Sequence, residues 1–339
     1  MSYFNNLQTY LFFFILLLAA CNGQKRPDIS HINLLVKIDR FDQALDSLVP
    51  LNVETKNRQW QKQFGLFYKD FMNYMVKAGD PADTLTAASN LRIISKTADF
   101  RALSTAVKKT FPDLSYYEEQ LTQSFKLLHY YFPEVSPPRL ISFFSGFSVQ
   151  VPVGEDYIGI GLDMFLGAKS EFYPALRESI PFYLSKRFTP EHIVPRVIET
   201  FLTEDLYLRQ DADRTMLEKM IYSGKILYIM DLVLPADTDD GLKIGYTSQQ
   251  IAWANAHEDA LWNWFIEEKL VYDTDNKRIQ RYLEEEPFTP EFGKNSSPKL
   301  AIYLGWQIIR KFMSRHSEIT LPKLLSEHNA QRILTESGY

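Results

Sequence analysis

One cysteine stands in the 339 residues, at position 21. A lone cysteine excludes any disulfide within the chain, so the fold has to be held by a packed apolar core alone. Its surroundings say where that core forms. Leu11-Phe12-Phe13-Phe14-Ile15-Leu16-Leu17-Leu18-Ala19-Ala20 is an uninterrupted apolar run directly before it. Spanning a hydrocarbon layer takes about 20 residues, so this shorter run suits the core of an export signal. The run ends in Leu18-Ala19-Ala20-Cys21, which resembles the bacterial lipobox: small residues admit a membrane-embedded peptidase, and the thiol accepts a diacylglycerol. The pattern predicts a signal peptide over 1–20, lipid attachment at Cys21 with palmitate-type chains, and a tether over 21–30. One departure is that residues 1–10 hold no Lys or Arg.

A lipid-anchored, exported chain of this length has enough residues for one sizeable core, expected over 31–339. Its formal net charge is −5, and its cations are dispersed as doublets such as Lys25-Arg26 and Lys108-Lys109. A nucleic-acid groove needs clustered cations against phosphates, so nucleic acid is excluded as a partner.

Most of the patterning is helical. Trp60, Phe64, Phe67, Phe71, Tyr74 and Met75 recur at spacings of three and four, predicting a helix over 54–77. Asp80-Pro81 offers an N-cap and a first-turn proline for helical patterning to about Phe111. Ser115-Tyr116-Tyr117-Glu118 and Thr247-Ser248-Gln249-Gln250 read as capping boxes. Residues 32–38 read as one possible strand. The segment 139–162 (RLISFFSGFSVQVPVGEDYIGIGL) is β-rich, with turn signals at Gly146 and Gly154-Glu155-Asp156, and predicts two or three short antiparallel strands. Helices are expected at about 170–186, 195–209, 213–234, 248–270, 275–285, 297–316 and 321–335. The expected fold class is therefore mainly α with one small antiparallel sheet.

A sheet followed by a central helix invites a search for His-Glu-x-x-His, in which histidines at i and i+4 hold zinc and the glutamate polarises a water. Val197-Ile198-Glu199-Thr200-Phe201-Leu202 has Glu199 in the glutamate position, with Ile198 and Leu202 where the histidines belong. About 20 residues on, Ser223-Gly224-Lys225 resembles the segment that supplies a third ligand in some such peptidases, with Ser223 in place of the Glu. Hydrocarbon side chains cannot coordinate a metal, so Glu199 is a fossil catalytic candidate at most and Ile198, Leu202 and Ser223 are degenerate ligand positions. The same pattern is also that of an ordinary amphipathic helix. Other signals are weaker. His257-Glu258 starts the zinc motif but meets Leu261, and Asp237-Thr238-Asp239-Asp240-Gly241 fails as a calcium loop because Ala236 and Thr247 would fall on ligand positions. Gly159-x-Gly161 lacks the third glycine of a dinucleotide loop. Glu199, Glu204, Asp205, Asp211 and Asp213 crowd one helix and its exit, as solvated acids commonly do. No metal, cofactor or complete active site is expected.

Longer runs carry a resemblance. They are Tyr131-Phe132-Pro133, Tyr157-Ile158-Gly159-Ile160-Gly161-Leu162-Asp163, Met220-Ile221-Tyr222-Ser223-Gly224-Lys225-Ile226-Leu227-Tyr228, and Leu234-Pro235. To these are added Tyr246-Thr247 with Trp253, Glu258, Leu261 and Trp262, and Gly305-Trp306-Gln307-Ile308-Ile309. Together they are similar to the gliding-motility lipoprotein B (GldB) family of Bacteroidetes over roughly 30–335. The resemblance implies a gliding-motility role, machinery shared with type IX secretion, and no known reaction; members also resemble predicted zinc-dependent peptidases, so a degenerate zincin-like architecture is expected. The leading expectation is a non-catalytic scaffold or adaptor of that machinery in the cell envelope. Its partners would be the membrane, through lipid on Cys21, and other motility or secretion proteins. Asn22 is not the aspartate that retains lipoproteins on the inner membrane in enteric bacteria, which favours the outer membrane. Two alternatives remain: a peptidase with an unrecognised metal site, and a periplasmic chaperone-like binder using aromatic residues around Trp253, Trp262 and Trp264.

Overall fold

The computed structural model describes residues 26–208 and 214–339; the expected signal peptide and Cys21, like Asp211 and Asp213, lie outside the described residues. The chain divides into two compact units, Met1–Asn33 and Leu34–Tyr339. In the first, the described residues make a turn in which Ser30 N–H donates to Asp28 and Ile32 N–H to the Ile29 carbonyl. The second unit holds the helices and the sheet.

Strand β1 (Ile38–Arg40) leads directly into α1 (Phe41–Asp46), followed by α2 (Val53–Asp70), α3 (Thr84–Ile94), α4 (Ala98–Thr110) and α5 (Ser115–Tyr131). Strands β2 (Arg139–Phe143) and β3 (Tyr157–Gly161) come next, then the short α6 (Phe182–Ser185) and α7 (Ile193–Phe201). The remainder is helical: α8 (Met216–Val233), α9 (Asp240–Ile244), α10 (Ser248–Glu267), α11 (Asn276–Ile279), α12 (Leu300–Arg315), α13 (Leu321–Ser326) and α14 (Ala330–Ser337).

The sheet corrects the antiparallel expectation. Its order is β1-β2-β3 and both pairings are parallel, with Ile38 opposite Leu140 and Leu140 opposite Ile158. The turn at Gly154-Glu155-Asp156 is real, but it joins β3 to a returning segment rather than to β2. Gly159 and Gly161 donate to the Pro152 and Gln150 carbonyls at 2.8 Å, and Gly154 donates to the Tyr157 carbonyl at 2.9 Å. The chain therefore reverses twice between β2 and β3, which restores the parallel direction. The alternating glycines of β3 serve this packing: a Cβ on Gly161 would stand 2.4 Å from the Val149 carbonyl oxygen, and one on Gly159 2.8 Å from Pro152.

Parallel strands are stable when both faces are covered. Phe41, fully buried, sits within 6 Å of five rings: Trp60 at 5.2 Å, Phe64 at 4.8 Å, Phe67 at 5.2 Å, Tyr68 at 5.8 Å and Phe71 at 4.9 Å. Phe67 carries this cluster onto Phe143 of β2 and Tyr157 of β3. Helix α7 packs against β3, and α5 against α7. The periodic face predicted over 54–77 is thus a core stripe except at Tyr74, which is exposed, and its helix kinks at Gly65 (φ 52°) and widens into a π turn over Phe71–Met75.

Two start signals move. Asp83, not Asp80, caps α3 by accepting from Thr86 N–H, and Asp80-Pro81 forms the turn before it. Glu118 does not close a capping box with Ser115; its carboxylate accepts from Ile38 N–H at 3.0 Å and Lys37 at 2.7 Å, clamping β1 to α5. The box at Thr247–Gln250 is present, and a second forms at Thr215–Glu218. The helix expected over 170–186 is mostly irregular, with a 3-10 turn at Tyr173–Leu176 before α6.

Helices α8 and α12 cross at the heart of the C-terminal part. A Cβ on Gly305 would stand 2.0 Å from the Met220 carbonyl oxygen, and one on Gly224 2.3 Å from that of Gly305. Only glycine at both positions lets the backbones meet this closely. Around the crossing, Arg310 lies over the Trp306 ring at 3.7 Å and forks onto Asp231 with two 2.8 Å bonds. Lys243 bridges Asp231 and Asp240 at 2.8 Å each.

Candidate functional site

Helix α7 presents two faces of opposite character. Ile193, Val197, Ile198, Phe201 and Leu202 are buried, with Ile198 and Leu202 at 0% exposure. The two positions where zinc histidines would stand therefore point into the core, as hydrocarbon side chains require. Glu199 lies on the other side, its side chain 31% exposed and paired with Arg196 at 2.5 Å. Ser223 is half-buried on α8, which packs against α7. Among the described residues no group of three His, Cys, Asp or Glu side chains could hold a metal ion. A zincin-like architecture is not shown. The donor set fits no catalytic zinc, which takes three N, O or S ligands at about 2.0–2.3 Å.

The polar side of α7 adjoins a partly buried ionic cluster that the sequence did not reveal. Arg187 forks onto Glu285 at 2.9 and 2.6 Å and donates to the Gly245 carbonyl at 2.9 Å. Lys299, 7% exposed and in a left-handed conformation (φ 49°), donates to Glu285 at 2.7 Å and to the Ile244 carbonyl. Burial alone would raise the Glu285 carboxyl, but the Lys299 ammonium and the Arg187 fork outweigh it and hold it at about 2. His192 is buried just before α7, with Nδ1 2.9 Å from the Thr189 hydroxyl. Burial, reinforced by Arg187 and Arg196, brings its imidazole down to about 4. Over neutral pH Glu285 stays charged and His192 stays neutral, whereas a general acid or base works best with a pKa near the working pH. Beside this cluster opens a polar cleft of about 630 Å³, lined among others by Lys186, Arg187, Trp253, Glu285 and Lys294. Arg187, Glu285 and Lys299 come from well-separated parts of the sequence, so no local motif could have announced their meeting.

The remaining sequence candidates resolve into structure. Glu258 accepts from the Tyr303 and Tyr339 hydroxyls at 2.9 and 2.8 Å, tying α10 to α12 and to the C-terminal residue. His257 lies against its own helix, with Nδ1 2.7 Å from the Trp253 carbonyl. The would-be calcium loop caps α9, Asp239 accepting from Gly241 N–H at 2.6 Å. Glu204 and Asp205 lie on a π turn over Leu202–Leu206, which continues α7. Trp253 and Trp264 both pack on Phe292, whereas Trp262 packs on Tyr339, so the three do not form one aromatic patch.

Residues 22–339 match the family described as gliding motility protein GldB. The chain belongs to the GldB family. No curated protein and no solved structure matches it. GldB membership implies a component of gliding motility and an envelope lipoprotein. Among the described residues no helix is long and apolar enough to cross a membrane. Seen in the fold, the runs that resemble the GldB family are largely architectural. Met220–Tyr228 and Gly305–Ile309 are the two sides of the α8–α12 crossing, and Glu258 ties α10 to α12. Lys225, 1% exposed in the middle of α8, donates to the Glu327 carbonyl at 2.6 Å and to the Tyr207 hydroxyl at 3.2 Å.

Proposed function

We propose that this GldB-family chain works as a non-catalytic scaffold or adaptor, held in the cell envelope by lipid on Cys21 through a short tether. Its setting is the gliding machinery and the type IX secretion apparatus that shares it. The observation that carries this reading is the placement of Ile198 and Leu202, both at 0% exposure. A peptidase would need imidazoles there, turned towards a solvent-accessible metal. The charged groups beside that helix are also committed to one another, which suits a rigid platform rather than proton transfer. Asn22 in the second mature position supports the outer membrane as the anchor site.

Two measurements test the proposal. Cys21→Ser should abolish labelling with a palmitate analogue and leave residues 1–20 uncut; equal labelling of both forms would sink the anchor. In the second, elemental analysis of the Cys21–Tyr339 protein should find no stoichiometric zinc, and a Glu199→Ala strain should still glide. Bound zinc, with gliding lost while the variant remains folded and abundant, would instead establish a peptidase.

A further inference from the structure

An apolar groove of about 600 Å³ opens on the opposite kind of chemistry from the charged cleft. Its floor and walls come from the π turn after α2, from α3 and α4, from the loop after β2, and from the irregular segment before α6. Phe71, Leu91, Leu103, Phe144, Phe147 and Phe172 are among the residues that line it. The volume lies within the range of clefts that bind a ligand, roughly 300–1,000 Å³. The backbone also holds the groove open. Asp163, fully buried, accepts from Ser145 and Phe147 N–H at 3.0 and 2.7 Å, fixing Phe147 at φ 67°. Tyr173 pins the facing wall, its hydroxyl donating to the Asp163 carbonyl at 3.0 Å and accepting from Leu166 N–H at 2.9 Å. Phe147 and Tyr173 rings meet at 5.9 Å, so both walls are braced on one buried residue.

Charge decides the occupant. Among the described residues the only charged ones lining the groove are Asp99 and Glu171, both exposed at its edge, and neither pairs with a cation there. We propose that this groove receives an amphipathic segment of a partner protein, with apolar side chains inserted and Lys or Arg beside them meeting Asp99 and Glu171. A fatty acid or an anionic phospholipid would bring its negative head to two carboxylates. A second copy of the chain would bring a formal net charge of −5 to the same edge. The proposal rests on the adaptor reading for its expectation of a protein occupant, but it is tested on the purified chain, so it can fail while the motility reading stands, and the reverse.

The experiment measures fluorescence anisotropy of a labelled 18-residue peptide carrying leucines at helical i, i+3, i+4 spacing and lysines elsewhere. The intact chain is held in phosphatidylcholine nanodiscs, with empty nanodiscs as control. The basic peptide should bind at least tenfold more tightly than an analogue with glutamates for lysines. Ala175→Trp places bulk at an exposed lining position, and should weaken binding tenfold or more without moving the melting temperature. Asp99→Lys with Glu171→Lys should reverse the charge preference, each exposed charge contributing about two- to fivefold. Equal binding of the two peptides, full displacement by palmitate, indifference to Ala175→Trp, or a chain dimer dissolved by Ala175→Trp would each overturn the proposal.

Discussion

The α8–α12 crossing and the apolar groove are built on opposite principles. At the crossing, two glycines bring backbone against backbone, and the surrounding charges are all consumed: Asp231 alone receives Arg310, Lys243 and the Trp306 indole. Burial would lower the Arg310 guanidinium, but Asp231 and Asp240 more than reverse that, so it stays protonated at any relevant pH. In the groove, by contrast, aromatic walls stand apart around open space, and the carboxylates at the edge meet no cation among the described residues. Closed packing of the first kind has no capacity for a ligand. A groove held open by a buried carboxylate has an energetic cost that packing alone would not justify, since a void forfeits contacts that its lining atoms would otherwise make.

The sharpest way to break the contrast is to overfill the closed region. Gly305→Val should cost about 4 kcal/mol or more, because even its first added carbon would stand 2.0 Å from a backbone oxygen that cannot yield. Urea melts of the purified variant measure this, and a loss under about 1 kcal/mol would mean that the helices do not meet as described. The next largest effect belongs to the groove. Burial raises the Asp163 carboxyl to about 6, against the backbone donors of Phe147 and Ser145, which lower it. An acid with a raised folded pKa contributes its stability below the ordinary value near 4 and loses it as pH rises through 6. The wild type should therefore lose about 3 kcal/mol between roughly pH 3.5 and 7 relative to Asp163→Asn. Parallel stability curves for the two proteins would refute the buried charge. The smallest effect is expected at Ile198→His, which inserts a polar ring at a fully buried site and should cost about 1–3 kcal/mol. It should gain no zinc; stable, stoichiometric metal binding by that variant would show a latent ligand set beside α7.

Local chemistry makes part of this architecture legible in the residues themselves. The period of Trp60, Phe64, Phe67 and Phe71 marks a core stripe, and Thr247–Gln250 marks a helix start, because both depend on residues within one or two turns. The Ser115–Glu118 box fails because Glu118 finds a better donor set at Lys37 and at Ile38 of β1, the latter 80 positions away in sequence. A turn is visible at Gly154-Glu155-Asp156, but not which strand it serves, so short-range signals point to an antiparallel sheet where the strands are parallel. The Glu199 helix is suspect as a metal site from its sequence, since side-chain type forbids coordination by Ile198 and Leu202.

Residue identity and short-range periodicity are enough to establish a disulfide-free, helix-rich chain, its resemblance to the GldB family, and the chemical incompleteness of its peptidase-like helix. The direction of the strands, the meeting of Arg187 with Glu285 and Lys299, and the open groove between segments far apart in sequence come only from the way the chain packs. Each of those depends on residues tens to a hundred positions apart, brought together by packing energy that no local pattern encodes.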